Sequence, residues 1–537
     1  MLGWLFRGLG KQGIPSLQIG LQHHQAGRLD QADAVYKAVL AADPDNVDAL
    51  HFSGVIAYQR GDAGAAASLI SAALSRNPAN APAHNNLGNA IAAQGDLPRA
   101  VDCYREAARL APGYVDAHVN LGAKLKMQGL LDEAAAAYRD ALAHAPSHAT
   151  ALSNLGAIMN EQARPRESLE LCERAVTAKP DLAEAHNNLG NALQSLGRRE
   201  EAETSFRRAL ELKPDMASAS LNYGFSRLLL GDYAAGLALM EKRFEASVSL
   251  PVHFGLRNLV SELDPARRWR GEPRAGRLLV WSDQGLGDSL MAMRYLPLLK
   301  ARGFSSVVVY GEPALLRLFR SVPGVERVIS KQERVPAGQY DWHCPNMSLP
   351  LAFGTRPETI PRDIPYLNIP EKEVLHWREK TAGLRSPRVG LAWAGTKMNP
   401  KDAVRSIHLE KFAPLFGIGG CSFVSLQKGD GAEELAGAPG KLDDWMGECS
   451  DLLDTAALIQ NLDLVITVDT AVAHLAGALG RPVWMLNRYE SEWRWMTERE
   501  DSPWYPTLRL YRQQRPGDWD APIARVAAAL RSFSRAP

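Results

Sequence analysis

Seven glycines in the first half of the chain follow one another at a constant interval of 34 residues. They are Gly20, Gly54, Gly88, Gly122, Gly156, Gly190 and Gly224. A fixed period of this length is typical of helix–turn–helix solenoids, in which each repeat packs against its neighbours. The first half therefore predicts a stack of helix pairs. The second half lacks the period and has to supply any chemistry.

Other positions keep the same register and indicate how each helix pair is built. Prolines close the repeats at Pro44, Pro78, Pro112, Pro146, Pro180 and Pro214. Glycines occupy the turn inside the repeats at Gly27, Gly61, Gly95, Gly129, Gly197 and Gly231, whereas Ala163 stands there in the fifth repeat. Small residues such as Ala100 face large ones such as Tyr104, which predicts interdigitated helices. The pattern resembles the tetratricopeptide family and predicts an α superhelical repeat domain over residues 1–247, with about seven repeats.

Asparagines stand two residues before five of the repeat glycines. They are Asn86, Asn120, Asn154, Asn188 and Asn222. Asparagine is a mediocre helix former, so five in register require a reason. Each amide could bind the neighbouring repeat and lock the stack, or the five could present donors and acceptors to an extended peptide. The sequence HNNLGNA, at 84–90 and again at 186–192, resembles the repeats of O-GlcNAc transferase, which favours a peptide groove.

In the second half, short apolar runs alternate with helical segments. The predicted strands are 277–283, 305–311, 325–330, 387–395, 421–427, 463–469 and 482–487, and the predicted helices are 287–302, 312–321, 452–461 and 470–480. This alternation predicts an α/β region of two doubly wound parallel-sheet domains with a ligand cleft between them. The expected boundaries are a linker at 248–276, a first domain at 277–385 and a second at 386–537, with a proline-rich hinge at 356–370.

The first strand is followed by a glycine-rich turn that opens a helix. Gly285 and Gly287 permit a tight turn, and Asp288 begins the helix. The dinucleotide fingerprint is incomplete here, because its third glycine is absent. Asp288 is therefore either a carboxylate favoured by the helix dipole or a general base that projects into the cleft.

Two further strand ends suit a phosphorylated ligand. After the strand at 387–395, Gly395 and Thr396 offer backbone N–H groups, and Arg405 and Lys428 offer cations. After the strand at 463–469, a helix rich in small residues begins, and a helix N-terminus is an anion site. The candidates at this end are Asp469, Thr470, Ala471 and His474, for which capping and helix packing are the alternatives.

Together these segments resemble the heptosyltransferase-like glycosyltransferases of family 9, which have the GT-B fold, over residues 277–516. The sequence DTAVAHLAGALGRPV, beginning at Asp469, is the most specific part of the likeness. The resemblance implies that Asp288 is the base, that Asp469, Thr470 and Ala471 bind the donor sugar and its phosphate, and that Arg405 binds phosphate. It also implies a metal-independent enzyme that needs no cofactor and takes a nucleotide-diphosphate sugar as substrate. The segment NRYESEWRW at 487–495 departs from the family's pattern.

Composition excludes several other classes. A net charge of +1 gives no electrostatic argument for nucleic acid or an anionic membrane. The five cysteines show no metal-ligand spacing and predict neither a disulfide framework nor a zinc site. No apolar run approaches the ~20 residues of a membrane span, which predicts a cytoplasmic protein.

Three functions follow. The first is a glycosyltransferase acting on a polypeptide held by the repeats, for which the family resemblance implies a flagellin or surface protein. The second acts on a glycan or lipid-linked saccharide and uses the repeats for assembly. The third is a repeat scaffold with a degenerate transferase domain. Homo-oligomerisation stays open under all three.

Overall fold

The computed structural model describes residues 16–244, 263–336, 338–397 and 402–535. The chain divides into two compact units. We call Met1–Ala192 the repeat unit and Leu193–Pro537 the α/β unit. The α/β unit therefore includes the last helices of the repeat array. Most of the linker expected at 248–276 lies outside the described residues.

The repeats form consecutive antiparallel helix pairs, as the period predicts. Their helices are α1 (Leu17–Gln25), α2 (Leu29–Ala42), α3 (Val47–Gln59), α4 (Ala63–Arg76), α5 (Ala81–Ala93), α6 (Leu97–Leu110), α7 (Val115–Met127), α8 (Leu131–His144), α9 (Ala149–Glu161), α10 (Pro165–Ala178), α11 (Ala183–Ser195), α12 (Arg199–Leu212), α13 (Ala217–Leu229) and α14 (Tyr233–Met240). The predicted helical solenoid is confirmed.

The repeat glycines let the two helices of a pair approach closely. A Cβ on Gly88 would lie 2.7 Å from the Tyr104 ring, and one on Gly122 would lie 2.9 Å from the Tyr138 ring. Such contacts are too short for carbon atoms, so the ring of the second helix occupies the space that the missing side chain leaves. The period of 34 therefore records a steric requirement.

The glycines inside each repeat serve a different purpose. Gly129, for example, has φ of 79°, in the left-handed region where residues with a Cβ are strained. Ala163 adopts the same conformation, with φ of 58°. The fifth repeat thus keeps the turn geometry without the residue that suits it.

The α/β unit contains two sheets in which every strand pairing is parallel. The first has the order β3-β2-β1-β4, and the second has the order β10-β9-β8-β5-β6-β7. The strands are β1 (Gly276–Trp281), β2 (Phe304–Gly311), β3 (Val325–Ser330), β4 (Trp342–Pro345), β5 (Arg388–Ala392), β6 (Ser422–Ser425), β7 (Asp443–Asp444), β8 (Leu464–Val468), β9 (Val483–Asn487) and β10 (Leu508–Arg512). These parallel sheets confirm the predicted α/β region and are consistent with a GT-B fold.

Helices connect the strands and cover the sheets. They are α15 (Leu286–Ala292), α16 (Leu316–Phe319), α17 (Leu349–Ala352), α18 (Glu371–Thr381), α19 (Asp402–Arg405), α20 (Ala413–Phe416), α21 (Leu452–Ile459), α22 (Ala471–Ala478) and α23 (Asp520–Phe533). The predicted helix at 287–302 is α-helical to Ala292 and continues as a 3-10 helix to Arg302. Pro297, within that continuation, has no backbone N–H to donate to an α-helical ladder.

The last repeat shares one apolar core with both sheets. Residues of α13 and α14, among them Leu228 and Tyr233, belong to the same buried cluster as Val280 and Val465. The Tyr233 hydroxyl accepts a hydrogen bond of 3.1 Å from the Trp504 indole. This continuity places the last repeat within the α/β unit. Within the described residues, no helix has both the length and the apolar character needed to cross a bilayer.

Candidate functional site

One cleft in the α/β unit collects the carboxyl ends of strands from both sheets. Its volume is about 630 Å³. It is lined after β1 by Gln284, Gly285, Leu286, Gly287 and Asp288; after β5 by Ala394, Gly395, Thr396 and Arg405; after β6 by Gln427 and Lys428; after β8 by Asp469, Thr470, Ala471, Val472 and His474; and after β9 by Arg488, Glu492 and Arg494. Parallel sheets bind ligands at this edge, because their loops converge there. The candidate residues predicted at the strand ends of the two sheets all line this cleft, whereas Asn222 of the last repeat does not.

Asp288 is held at the start of α15 by two contacts. Its Oδ2 accepts a hydrogen bond of 3.0 Å from the Gly285 backbone N–H, which turns the carboxylate back over the helix N-terminus. Its Oδ1 forms an ion pair with Arg494. The side chain remains 20% exposed, on the cleft side. A fixed carboxylate oxygen in a cleft can accept a proton from a bound hydroxyl.

Arg494 links that carboxylate to the second sheet. Its side chain is buried, and its other terminal nitrogen donates to Glu492 Oε1 at 2.5 Å. The guanidinium also lies 4.4 Å from the centre of the Trp493 ring. Burial lowers the pKa of Arg494 to about 10, so the group stays protonated at neutral pH. Arg494 therefore ties Asp288, which follows β1 of the first sheet, to the loop after β9 of the second sheet.

His474 packs in the cleft wall between the two sheets. A Cβ on Gly287 would lie 2.6 Å from His474 Cδ2, so the glycine makes room for the ring. His474 Nδ1 lies 2.9 Å from the Tyr505 hydroxyl. Burial, with the nearby charge of Arg294, lowers the pKa of His474 to about 3. The ring is neutral at physiological pH, and its contacts match the helix-packing alternative for this residue.

Hydrogen bonds join the loops after β5 and β6. Gln427 Oε1 accepts hydrogen bonds of 3.0 Å from the backbone N–H groups of Trp393 and Ala394. The Gly395 N–H donates to Ser406 Oγ at 2.9 Å, so it already has a protein partner. A Cβ on Gly395 would lie 2.0 Å from Arg405 Nη2. Gly395 thus makes space for Arg405. The sequence predicts a different role, in which the Gly395 N–H donates a hydrogen bond to a phosphate.

The two predicted cations have backbone partners at the cleft edge. Arg405 Nη1 donates to the Asp469 carbonyl at 3.2 Å, and its Nε donates to Asp402 Oδ1 at 3.1 Å. Lys428 Nζ donates to the Cys449 carbonyl. These bonds hold both positive charges beside the loops after β5, β6 and β8. Thr396 lines the same cleft.

The end of β8 brings a helix N-terminus and Asp469 into the cleft, where the loop after β9 adds Glu492. Thr470 caps α22, and Ala471 and Val472 contribute the first N–H groups, which have no partner inside a helix. Burial raises the pKa of Asp469. Burial, followed by the charge of Asp469, raises the pKa of Glu492 well above its usual range. An ionised Asp469 therefore disfavours ionisation of Glu492.

Arg488 offers hydrogen-bond donors that no described group accepts. Its Nε and Nη1 are buried from solvent and have no hydrogen-bond partner within the described parts of the chain. The guanidinium lines the cleft, and its charge acts on both Asp469 and Glu492. A buried donor without a partner costs about 1–3 kcal/mol in stability, so binding an acceptor at this position would recover that cost. Arg488 is thus placed to bind a ligand acceptor.

Several cleft residues are absent from the sequence prediction. They are Phe225, Gln427, Arg488, Glu492 and Arg494. The last three lie in the segment 487–495, whose polarity after a buried strand is the signal that points to them. Phe225 belongs to α13, so its role requires the packing of the last repeat to be known.

The repeat asparagines lie on the first helix of each pair, and each is half-buried. The amide nitrogen of Asn86 lies 2.9 Å from His51 Nε2, and that of Asn120 donates to Asn85 Oδ1 at 2.9 Å. The Asn188 amide donates to Ser153 Oγ at 3.0 Å. These three amides contact the preceding repeat, which is what the locking interpretation expects. Asn154 and Asn222 hold the equivalent positions.

Protein-family models match segments in both halves of the chain. Tetratricopeptide repeat models match residues 17–81, 54–115 and 147–215. The model of glycosyltransferase family 9 (heptosyltransferase) matches residues 447–521. The chain therefore combines tetratricopeptide repeats with a glycosyltransferase family 9 domain, as the resemblance implies. The second match contains Asp469, His474, Arg488 and Arg494.

One curated relative extends the comparison. Protein FlbA of Caulobacter vibrioides (strain ATCC 19089 / CIP 103742 / CB 15) is 34% identical over 332 residues, which is 57% of this chain and 54% of that protein. The chain thus spans about half the length of this relative.

Two solved structures are similar to part of the chain. PilF of Pseudomonas aeruginosa is 19% identical, with a TM-score of 0.35, over 38% of this chain and 92% of that one. MamA of Desulfovibrio magneticus RS-1 is 22% identical, with a TM-score of 0.28, over 31% of this chain and 94% of that one.

Proposed function

We propose that the chain is a glycosyltransferase that moves a sugar from a nucleotide-sugar donor to an acceptor hydroxyl in the cleft of the α/β unit. The observation that carries this proposal is the composition of the cleft. Asp288, from the first sheet, faces Arg488 and the N-terminus of α22, from the second. A base and an anion site across one cleft are what transfer from a phosphorylated donor requires.

In this proposal the second sheet holds the nucleotide. The N-terminal N–H groups of α22 and the guanidinium of Arg488 bind the phosphates, with Arg405 and Lys428 adding positive charge. Of these cations, Arg488 has buried donors still to satisfy, so we assign it the most direct contact. Asp469 and Glu492 accept hydrogen bonds from sugar hydroxyls. The nucleotide sugar is a substrate, and the proposal includes no metal or other cofactor.

The proposed step is a displacement at the anomeric carbon. The acceptor oxygen forms a bond to that carbon while the bond from the carbon to the phosphate oxygen breaks. Asp288 takes the acceptor proton, and the nucleotide leaves with the bonding electron pair. Arg494 holds Asp288 in place, and the phosphate-binding groups stabilise the charge that develops on the leaving group.

For the acceptor we propose a polypeptide held along the repeats. Tetratricopeptide arrays commonly bind proteins on an extended surface, and the last repeat reaches the cleft through α13. Hydrogen bonds from the asparagine side-chain amides join neighbouring repeats and so stabilise that surface. Whether the surface also binds a peptide has to be tested directly.

A thermal-shift panel of nucleotides and nucleotide sugars tests the donor site. A ligand at a hundredfold its Kd stabilises the folded state by about 2.7 kcal/mol. We expect one nucleotide family to raise the Tm and Arg488→Ala to weaken its binding by roughly 1.5–3 kcal/mol, because charged hydrogen bonds are lost. Arg515→Ala, at an exposed position, is the control. A folded wild-type protein that responds to no nucleotide would contradict the proposal.

A further inference from the structure

One wall of the transferase cleft is built by a repeat helix. Phe225 of α13 lines the cleft together with Leu286 and Asp288. Its ring is half-buried and packs against the apolar core of the α/β unit. The helix itself packs against the turn at Trp493–Trp495, which carries the partner of Asp288. The last repeat is therefore part of the candidate site.

The register of the repeats sets Phe225 apart. The position directly after the repeat glycine holds Leu21, Val55, Asn89, Ala123, Ala157, Asn191 and Phe225. An aromatic residue occurs at this position in the last repeat alone, where the helix meets the cleft. Helix packing between repeats does not require it, since alanine fills the same position twice.

Phe225 and the last ladder asparagine share a helix face. Asn222 precedes Phe225 by three residues on α13, and residues at this spacing are neighbours on a helix surface. Asn222 and Phe225 therefore lie on one face of α13, and Phe225 lines the cleft.

We propose that Phe225 is a specificity-determining residue that contacts a polypeptide acceptor beside the hydroxyl to be modified. Extended peptides are recognised by hydrogen bonds to the backbone combined with pockets for individual side chains. Phe225, Leu286 and Leu452 are partly buried apolar side chains that line the cleft, and they offer the apolar pocket. A peptide that crosses this point brings a serine or threonine hydroxyl toward Asp288. This inference rests on the proposed function.

A peptide array tests the inference with the full chain. The probes are synthetic peptides with a central serine or threonine and varied flanking residues, incubated with the nucleotide sugar that the thermal-shift panel identifies. We expect wild-type protein to prefer apolar residues at one flanking position. Phe225→Ala should reduce transfer to the preferred peptides by about 10- to 100-fold, as the loss of a buried apolar contact implies, and raise the KM for peptide. The Kd for the nucleotide should stay unchanged.

Two variants separate a local effect from misfolding. Phe225→Leu keeps an apolar side chain of different shape, so it should fold, bind nucleotide and shift the preference at that same flanking position. Leu21→Ala removes an apolar side chain at the same register in the first repeat and should leave this preference intact. A folded Phe225→Leu protein that selects peptides as the wild type does would overturn the inference.

The remaining outcomes distinguish the inference from the function on which it rests. If saccharide acceptors are modified and peptides are not, the transferase stands and the polypeptide acceptor is refuted. If no donor raises the Tm and none is turned over, the proposed function fails and this inference fails with it.

Discussion

The Asn120 amide of the repeat unit and the Arg488 guanidinium of the α/β unit are both half-buried, yet they use their donors differently. Asn120 donates to Asn85 of the preceding repeat, 35 residues away. Arg488 has two buried nitrogen atoms without an acceptor in the described chain. The periodic polar residue joins neighbouring repeats, whereas the residue outside any period keeps two donors without a partner in the described chain. A regular pattern of polar residues therefore does not by itself indicate a binding surface.

The two units also differ in how far apart in sequence their important contacts lie. Repeat contacts join neighbouring helices, as between Gly88 and Tyr104. The α/β unit depends on pairs such as Arg243 and Asp283, both buried, which connect the end of the last repeat to the loop that carries Asp288. The loss of one such pair should affect the whole unit, while damage in a repeat should stay local.

The largest predicted effect is on this buried ion pair. Arg243 Nε lies 2.7 Å from Asp283 Oδ2, and the two side chains are 4% and 3% exposed. Arg243→Met leaves the Asp283 carboxylate buried without its partner, which should reduce the free energy of unfolding by about 3–5 kcal/mol. Urea unfolding of the full chain, followed at the transition of the α/β unit, measures this loss of free energy. Arg267→Met, at an exposed pair, should cost less than about 1 kcal/mol; equal losses in the two variants would refute the contrast.

The second prediction concerns pH. His474 has its pKa lowered from 6.5 to about 3 in the folded protein, so the unfolded chain binds the extra proton first. The stability that neutral His474 contributes is complete above pH 6.5 and declines as the pH falls toward about 3. His474→Gln should flatten this slope, as urea unfolding at a series of pH values would show. Parallel slopes for the two proteins would show that the ring is not buried as a neutral group.

The third prediction tests the locking role of the asparagines. Asn120→Ala removes the donor to the buried Asn85 Oδ1 and should cost about 1–3 kcal/mol in local stability. Hydrogen exchange of the amides in α5 and α7 measures the effect where it occurs. Adding Asn85→Ala should cost less than the sum of the two single changes, because both partners are then gone. Fully additive losses would mean that the bond contributes nothing.

The smallest predicted effect is at the strained turn. Ala163→Gly removes a left-handed strain of about 1–2 kcal/mol but adds backbone entropy to the unfolded chain. The net gain should be under about 1 kcal/mol, visible as a small rise in Tm. Gly129→Ala introduces the same strain at the equivalent turn and should lower the Tm. A fall in Tm for Ala163→Gly would contradict the steric account of the turn.

The repeat architecture could be predicted from the sequence because its contacts are local and recur at a fixed interval. Gly88 and Tyr104 occupy positions whose partners lie within one repeat. Strands β1, β2 and β8 were predictable from buried apolar runs at least four residues long. The short strand β7 and the strands β4 and β10 carry no comparable run, so their place in the sheets depends on neighbours distant in sequence.

The candidate site was predictable where a motif ends a strand, as at Asp288 and Asp469. The residues that form ion pairs with these acids were not predictable, because no spacing in the sequence connects Asp288 to Arg494, 206 residues later. Gly395 illustrates a further limit. The sequence indicates a backbone donor, but packing shows that the glycine makes space for Arg405.

Single-turnover transfer by wild-type protein and Asp288→Asn tests the central claim most directly. Asparagine keeps the size of the side chain but cannot accept the acceptor proton. With the donor that the thermal-shift panel identifies, we expect the Kd for nucleotide to be unchanged and the rate of sugar transfer to fall by about 10²- to 10⁴-fold. Transfer by Asp288→Asn at the wild-type rate would contradict the assignment of this cleft as a transferase site with Asp288 as its base.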